Sequence, residues 1–69
     1  METWYEFWAN NRESLYGYGT HSEAEKYCEF LNQDREDHLF YIDECPQEKW
    51  DRLAERTDTF NLADTLAQI

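Results

Sequence analysis

Two cysteines, two histidines and sixteen carboxylates are the groups in this 69-residue chain whose types could do chemistry. A nucleophilic cysteine needs positive surroundings that lower its thiol pKa. Cys28 instead falls in the apolar stripe of a helix with acidic neighbours, and burial and negative charge both push a thiol upward. Cys45 precedes a helix start, which would lower its pKa, but Asp43, Glu44 and Glu48 oppose that. Both cysteines read as structural. His21 and His38 could join carboxylates around a metal, yet neither a helical His-x-x-x-His pair nor a zinc-spaced cysteine pair accompanies them. They are expected at surface or boundary positions, with no metal and no cofactor. The run GYGT at 17–20 has neither the spacing nor the lysine of a phosphate-binding loop. No catalytic residue is assigned, and the chain is expected not to be an enzyme.

The carboxylates remain. Sixteen acids against six bases leave a net charge of −10. Such a charge often accompanies disorder, but disordered chains are poor in aromatics. Here 17 % of residues are Phe, Tyr or Trp, which bury large areas each, so the chain is expected to fold despite self-repulsion. The same charge argues against direct nucleic-acid binding, which runs on Lys and Arg, and against a negatively charged membrane face. One small domain spanning 1–69 buries only about 60 % of its unfolded surface, so a second copy of the chain is a plausible source of stability. No secretory leader pattern and no apolar run of membrane-spanning length occurs, which reads as a cytoplasmic protein with reduced thiols.

The elements that must position these groups follow from periodicity. Residues 3–9 alternate as a strand, with Tyr5, Phe7 and Ala9 on one face and Trp4, Glu6 and Trp8 on a wetter one. Residues 10–13 form a turn and 14–18 a second strand, in which Gly17 and Gly19 suggest a bulge or a close backbone approach. Thr20 with Glu23, or Ser22 with Glu25, makes a capping box, and Ala24, Tyr27, Cys28 and Leu31 form an apolar helical stripe. Residues 38–42 read as a third strand. Pro46 opens a helix over 46–56 with Trp50, Leu53 and Ala54 on one side. A last helix over 60–68 turns Phe60, Ala63, Leu66 and Ala67 inward. The expected fold is α+β: a small antiparallel three-stranded sheet with one packed helix (ββαβ), followed by a C-terminal two-helix hairpin.

On that frame the acids gather. Glu25 and Glu29 stack four residues apart on the first helix, about 6 Å along its axis. Asp34, Glu36 and Asp37 follow it, Asp43 and Glu44 follow the third strand, and Glu48 and Asp51 ride the next helix. Between positions 34 and 51 stand seven acids and two bases, Arg35 and Lys49. Like charges this close oppose folding, whereas a merely soluble surface could intermix signs. B-form DNA presents one negative charge for about every 1.7 Å of axis, and carboxylates on a rigid domain can offer a comparable field to a basic groove. These nine acids are therefore the candidate contact for a basic nucleic-acid-binding protein. The opposing reading is an acidity that only solubilises.

The acid-dense track HSEAEKYCEFLNQDRED through IDECPQE, on one short domain without catalytic residues, resembles the small acidic anti-CRISPR proteins of phages and mobile elements. The likeness is to those acting on type I systems, in length and charge rather than in a shared motif. The resemblance implies a DNA mimic that occupies the DNA-binding groove of a Cas complex and blocks target DNA. The alternative class is a non-enzymatic regulatory homodimer, antitoxin-like or an anti-repressor module, joined through its aromatic sheet face. Trp4, Trp8, Tyr16 and Tyr18 on that face also resemble base-stacking surfaces, but only Arg12 is near to track a backbone. The expected cover is the first helix on one sheet face and the C-terminal hairpin or a second subunit on the other.

Overall fold

The computed structural model describes residues 1–10, 12–33 and 39–69. Strands β1 (Thr3–Trp8) and β2 (Leu15–Gly19) form an antiparallel hairpin in which Tyr5 faces Gly17 and Trp4 faces Tyr18. Thr3, Tyr5 and Phe7 are buried while Trp4, Glu6 and Trp8 are half-buried, the alternation that the strand period demands. Thr20 then starts α1 (His21–Asn32). Its hydroxyl accepts from the Glu23 N–H at 3.2 Å, and the Glu23 carboxylate accepts from the Thr20 N–H at 2.9 Å. This reciprocal box satisfies two donors that the first turn leaves open. Ala24 and Cys28 are buried and Tyr27 and Leu31 half-buried, which lays α1 across the Tyr5–Phe7 face of the sheet.

The third strand departs from expectation. It spans Tyr41–Glu44 (β3) and pairs antiparallel with the free edge of β1; His38 lies outside the described residues. Phe40 is held by α1 instead: its N–H donates to Asn32 Oδ1 at 2.6 Å, and its carbonyl accepts from Asn32 Nδ2 at 3.1 Å. One amide side chain thus brackets the backbone where the chain returns from α1 to the sheet.

The C-terminal third also corrects the expected architecture. The sheet has four strands in the order β3-β1-β2-β4, because Phe60–Asn61 (β4) pairs parallel with β2 and makes the sheet mixed. Phe60 does not open a helix. Asn61 is the cap of α3 (Leu62–Ala67), its Oδ1 accepting from the Asp64 N–H at 3.0 Å, and Asn is among the strongest N-cap residues. The inward residue of α3 is consequently Leu62, fully buried, while Ala63 and Ala67 are exposed. Pro46 leads into a short 3-10 turn (Gln47–Lys49) that hands over to α2 (Trp50–Glu55), with Leu53 buried and Ala54 exposed.

The two last helices do not pair as a hairpin. α3 lies beside α1, with Leu62 against Gly17 and Gly19 of β2, whereas α2 lies on the opposite sheet face with the Trp50 ring at 6.4 Å from Tyr18. The sheet is therefore covered on both sides, and Phe7 sits at the centre of the core with no exposed surface. Its ring meets Tyr27 edge-on at 5.2 Å and Phe60 in a stacked arrangement at 6.2 Å, geometries that aromatic quadrupoles favour.

The glycines of β2 are where α3 approaches closest. A Cβ on Gly17 would lie 2.9 Å from Leu62 Cδ2 and from Phe60 Cε2. One on Gly19 would lie 2.8 Å from the capping Glu23 Oε1 and 2.9 Å from Leu62 Cβ. Gly17→Ala is expected to cost about 1–3 kcal/mol by overpacking. Leu62→Ala is expected to cost about 2–5 kcal/mol by opening a cavity. Urea midpoints at constant slope measure both, and an unmoved midpoint for Gly17→Ala would mean that α3 does not seat on β2. Asn32→Ala should cost about 1–3 kcal/mol, since it removes both hydrogen bonds that the amide makes to the Phe40 backbone.

Candidate functional site

The nine acids singled out from the sequence do not share one face. Glu25 and Glu29 are exposed on α1, on the side that runs along Ile42 of β3. Glu44 pairs in register with Tyr5, and strand partners share a face, so it points to the same side of the sheet. Glu44 and Glu25 both act on the buried Tyr5 phenol, whose pKa is raised first by burial and then by these two charges. Three carboxylates are thereby gathered along the α1–β3 edge. The only short contact they make to a basic side chain among the described residues is Glu25 Oε1 to His21 Nε2 at 2.7 Å, one helical turn away. Asp34, Glu36 and Asp37 lie outside the described residues, in the stretch joining α1 to β3.

The remaining three sit elsewhere. Asp43 points to the opposite sheet face, where its Oδ2 accepts from the Trp8 indole N–H at 2.6 Å. Glu48 is exposed on the 3-10 turn. Asp51 stands at the rim of a cleft between α2 and the sheet, on the β4 side. Strand alternation separates Asp43 from Glu44, and α2 carries Asp51 onto the other layer. The spacing of the acids along the chain cannot reveal either.

Two features of the second face escape the sequence reading. One is the cleft itself, about 550 Å³, walled by Trp4, Tyr18, Trp50 and Phe60 with Asp51 at its mouth. The Trp4 and Tyr18 rings lie 5.2 Å apart and tilted by 58°, and Trp50 stands at 89° to Tyr18. Trp50 is held there by its indole N–H, which donates to the Cys45 carbonyl at 3.2 Å. The other feature is a stripe of bases. Lys49, Arg52 and Arg56, at helical spacings of three and four, line a neighbouring groove with Glu6, Glu44 and Tyr16. Arg56 stacks its guanidinium 4.8 Å over the Tyr16 ring and makes a two-pronged pair with Asp58, at 2.8 and 2.6 Å. That pair lowers the Asp58 pKa and raises that of Arg56. The i, i+3, i+7 pattern of the bases was the signal available in the sequence. Three of the six bases therefore stand on this side, while Lys26 is carried by α1.

Both thiols are free and buried. Burial raises the Cys28 pKa, Glu29 adds to the rise, and a hydrogen bond from Asn32 opposes it; its Sγ–H donates to the Phe40 carbonyl at 3.4 Å. Cys45 is raised by burial and then by Glu6, with Asp43 and Glu44 adding and Lys49 opposing. No group of three or more His, Cys, Asp or Glu among the described residues is arranged to hold a metal ion. Nor is any helix among them long and apolar enough to cross a membrane.

The raised groups set a pH dependence. Cys28, Cys45, Tyr5 and Tyr27 all hold their protons more tightly in the folded chain than in the unfolded one. Their contribution to stability is therefore complete below the unfolded thiol pKa of about 8.5 and is lost as pH rises through the folded values. The urea midpoint is expected to fall between neutral pH and the alkaline range, and less steeply in a Cys28→Ala, Cys45→Ala double variant; a midpoint that rises with pH would contradict this. Against protein-family models and curated proteins, the chain finds no match.

Proposed function

We propose that this chain is an acidic inhibitor that binds a basic nucleic-acid-binding protein and occupies the surface its nucleic acid would take. In its most specific form it is an anti-CRISPR that blocks target-DNA binding by a type I surveillance complex through DNA mimicry. The observation that carries this reading is the gathering of Glu25, Glu29 and Glu44 along one edge, with no Lys or Arg ion-paired to any of them among the described residues. Uncompensated like charge costs stability, and a basic partner would convert that cost into attraction. Asp34, Glu36 and Asp37, which follow α1 in the sequence, are proposed contact residues as well. Asp43, Glu48 and Asp51 widen the negative field around it. The action is stoichiometric, a reading supported by the burial and raised pKa of both thiols.

The homodimer alternative keeps one supporting observation. Trp8 and Tyr41 lie 4.8 Å apart on the part of the second face beyond the α2 cleft, and Tyr41 is 49 % exposed. β3 is also an edge strand, but Asp43 and Glu44 on it disfavour strand addition by a second acidic copy.

A tagged chain at low salt should capture a basic nucleic-acid-binding complex, and duplex DNA should displace it. Glu25→Lys, Glu29→Lys and Glu44→Lys together should weaken capture about tenfold or more while the circular dichroism stays unchanged. Undiminished capture by that folded variant would defeat the proposal. Loss of capture on Trp8→Ala and Tyr41→Ala, together with recovery of the chain alone, would favour the dimer.

A further inference from the structure

The aromatic cleft lies on the sheet face opposite the acidic edge, and of the acids in the proposed contact only Asp51 borders it. Trp4, Tyr18 and Trp50 are each half-buried, so each keeps part of its surface open to the cleft. Two of the three ring pairs are steeply inclined, which gives walls on different sides instead of a flat platform. The negative faces of such rings attract a cation, most strongly at Trp. Lys49, Arg52 and Arg56 line the neighbouring groove, Arg56 already paired with Asp58, but the cleft itself carries one charged residue, the carboxylate of Asp51, and the chain as a whole carries −10. A stacked nucleobase would bring its phosphate into that field and be repelled. An organic cation would be drawn in.

We infer that this cleft is a seat for an arginine side chain of a basic protein partner. The inference rests on the proposed function for the basic character of that partner and adds a second contact to it. The case for arginine over lysine is made by the chain itself. Two residues along the same face of β2, Arg56 stacks on Tyr16 while an aspartate grips its guanidinium. Tyr18, Trp50 and Asp51 offer an incoming guanidinium the same two elements, a ring to stack on and a carboxylate to pair with. The planar fork of arginine can use both at once, whereas an ammonium is a compact and strongly hydrated point charge. The cleft is shallow and open, which suits a side chain presented from a protein surface.

Hexa-arginine amide and hexalysine amide are the probes, titrated into the chain while the three tryptophan indole N–H signals are followed by NMR. Hexa-arginine should move the Trp4 and Trp50 signals more than that of Trp8, which lies outside the cleft against Tyr41 with its indole N–H on Asp43. It should bind about fivefold more tightly than hexalysine, and Trp4→Leu should remove most of that margin. Asp51→Asn, an isosteric change at an exposed position, should weaken hexa-arginine by about two- to fivefold. Equal binding of the two peptides, or an unchanged response in Asp51→Asn, overturns the inference. The triple lysine variant of the acidic edge separates the two readings. If it loses the captured partner yet keeps the arginine-induced Trp4 and Trp50 shifts, both stand. If it keeps the partner, the acidic-edge reading falls while the shifts still decide the cleft. If Trp4 and Trp50 never move and only α1 signals do, the cleft is refuted and the edge survives.

Discussion

The Phe7 ring is the point on which the rest of the structure turns. It is fully buried and lies between Tyr27 of α1 and Phe60 of β4, so one side chain joins the first strand to elements far along the chain. In a domain this small there is little apolar area to share among competing arrangements. Aromatic side chains bury more area each than aliphatic ones, and their edge-on and offset contacts add about 0.5–1.5 kcal/mol per pair. The ring of Phe60 reaches Phe7 only because Gly17 and Gly19 leave room for Leu62 to seat on β2. Sheet order, helix placement and the position of the last helix are all consequences of filling the space around that ring.

A chain with this net charge must also keep its acids from opposing the core. Several do so by finding neutral donors in place of bases. Glu6 accepts from Ser14, Asp43 from the Trp8 indole and Glu23 from the Thr20 backbone N–H. Hydrogen bonds to an ionised acceptor are about twice as strong as neutral ones, so these contacts settle individual carboxylates without neutralising them. Repulsion among the charges persists. Segregation of Lys49, Arg52 and Arg56 to the α2 side gives the small domain two chemically distinct surfaces, one an acidic edge and one an aromatic cleft flanked by cations.

Local sequence signals were legible wherever neighbours along the chain decide the structure. The β1 alternation, the hairpin, the Thr20–Glu23 box and the Ala24–Cys28 stripe are all present where their spacing puts them. The close approach announced by Gly17 and Gly19 is real as well. The readings that failed are those in which a distant partner outbid a local preference. Phe60 has a helical spacing to Ala63 and Ala67, yet burial against Phe7 and Tyr27 draws it into a strand and shifts the helix start to Asn61. Phe40 belongs to a β-prone run, yet Asn32 takes both of its backbone groups. For the site, the count of acids was plain but their faces were not: Asp43 and Glu44 are adjacent in sequence and point to opposite sides of the sheet.

What the sequence by itself determined is therefore the chemistry: strong acidity, an aromatic interior, thiols placed among acids and burial, and an α+β pattern of short elements. These depend on composition and on periods of two and 3.6 residues, which need no knowledge of the far end of the chain. Only the tertiary structure decided which carboxylates stand together, that α2 and α3 lie on opposite faces, and that Trp4, Tyr18 and Trp50 enclose a cleft. Those outcomes depend on contacts between residues tens of positions apart. They are settled by the competition to bury a few large rings, and no local spacing records that competition.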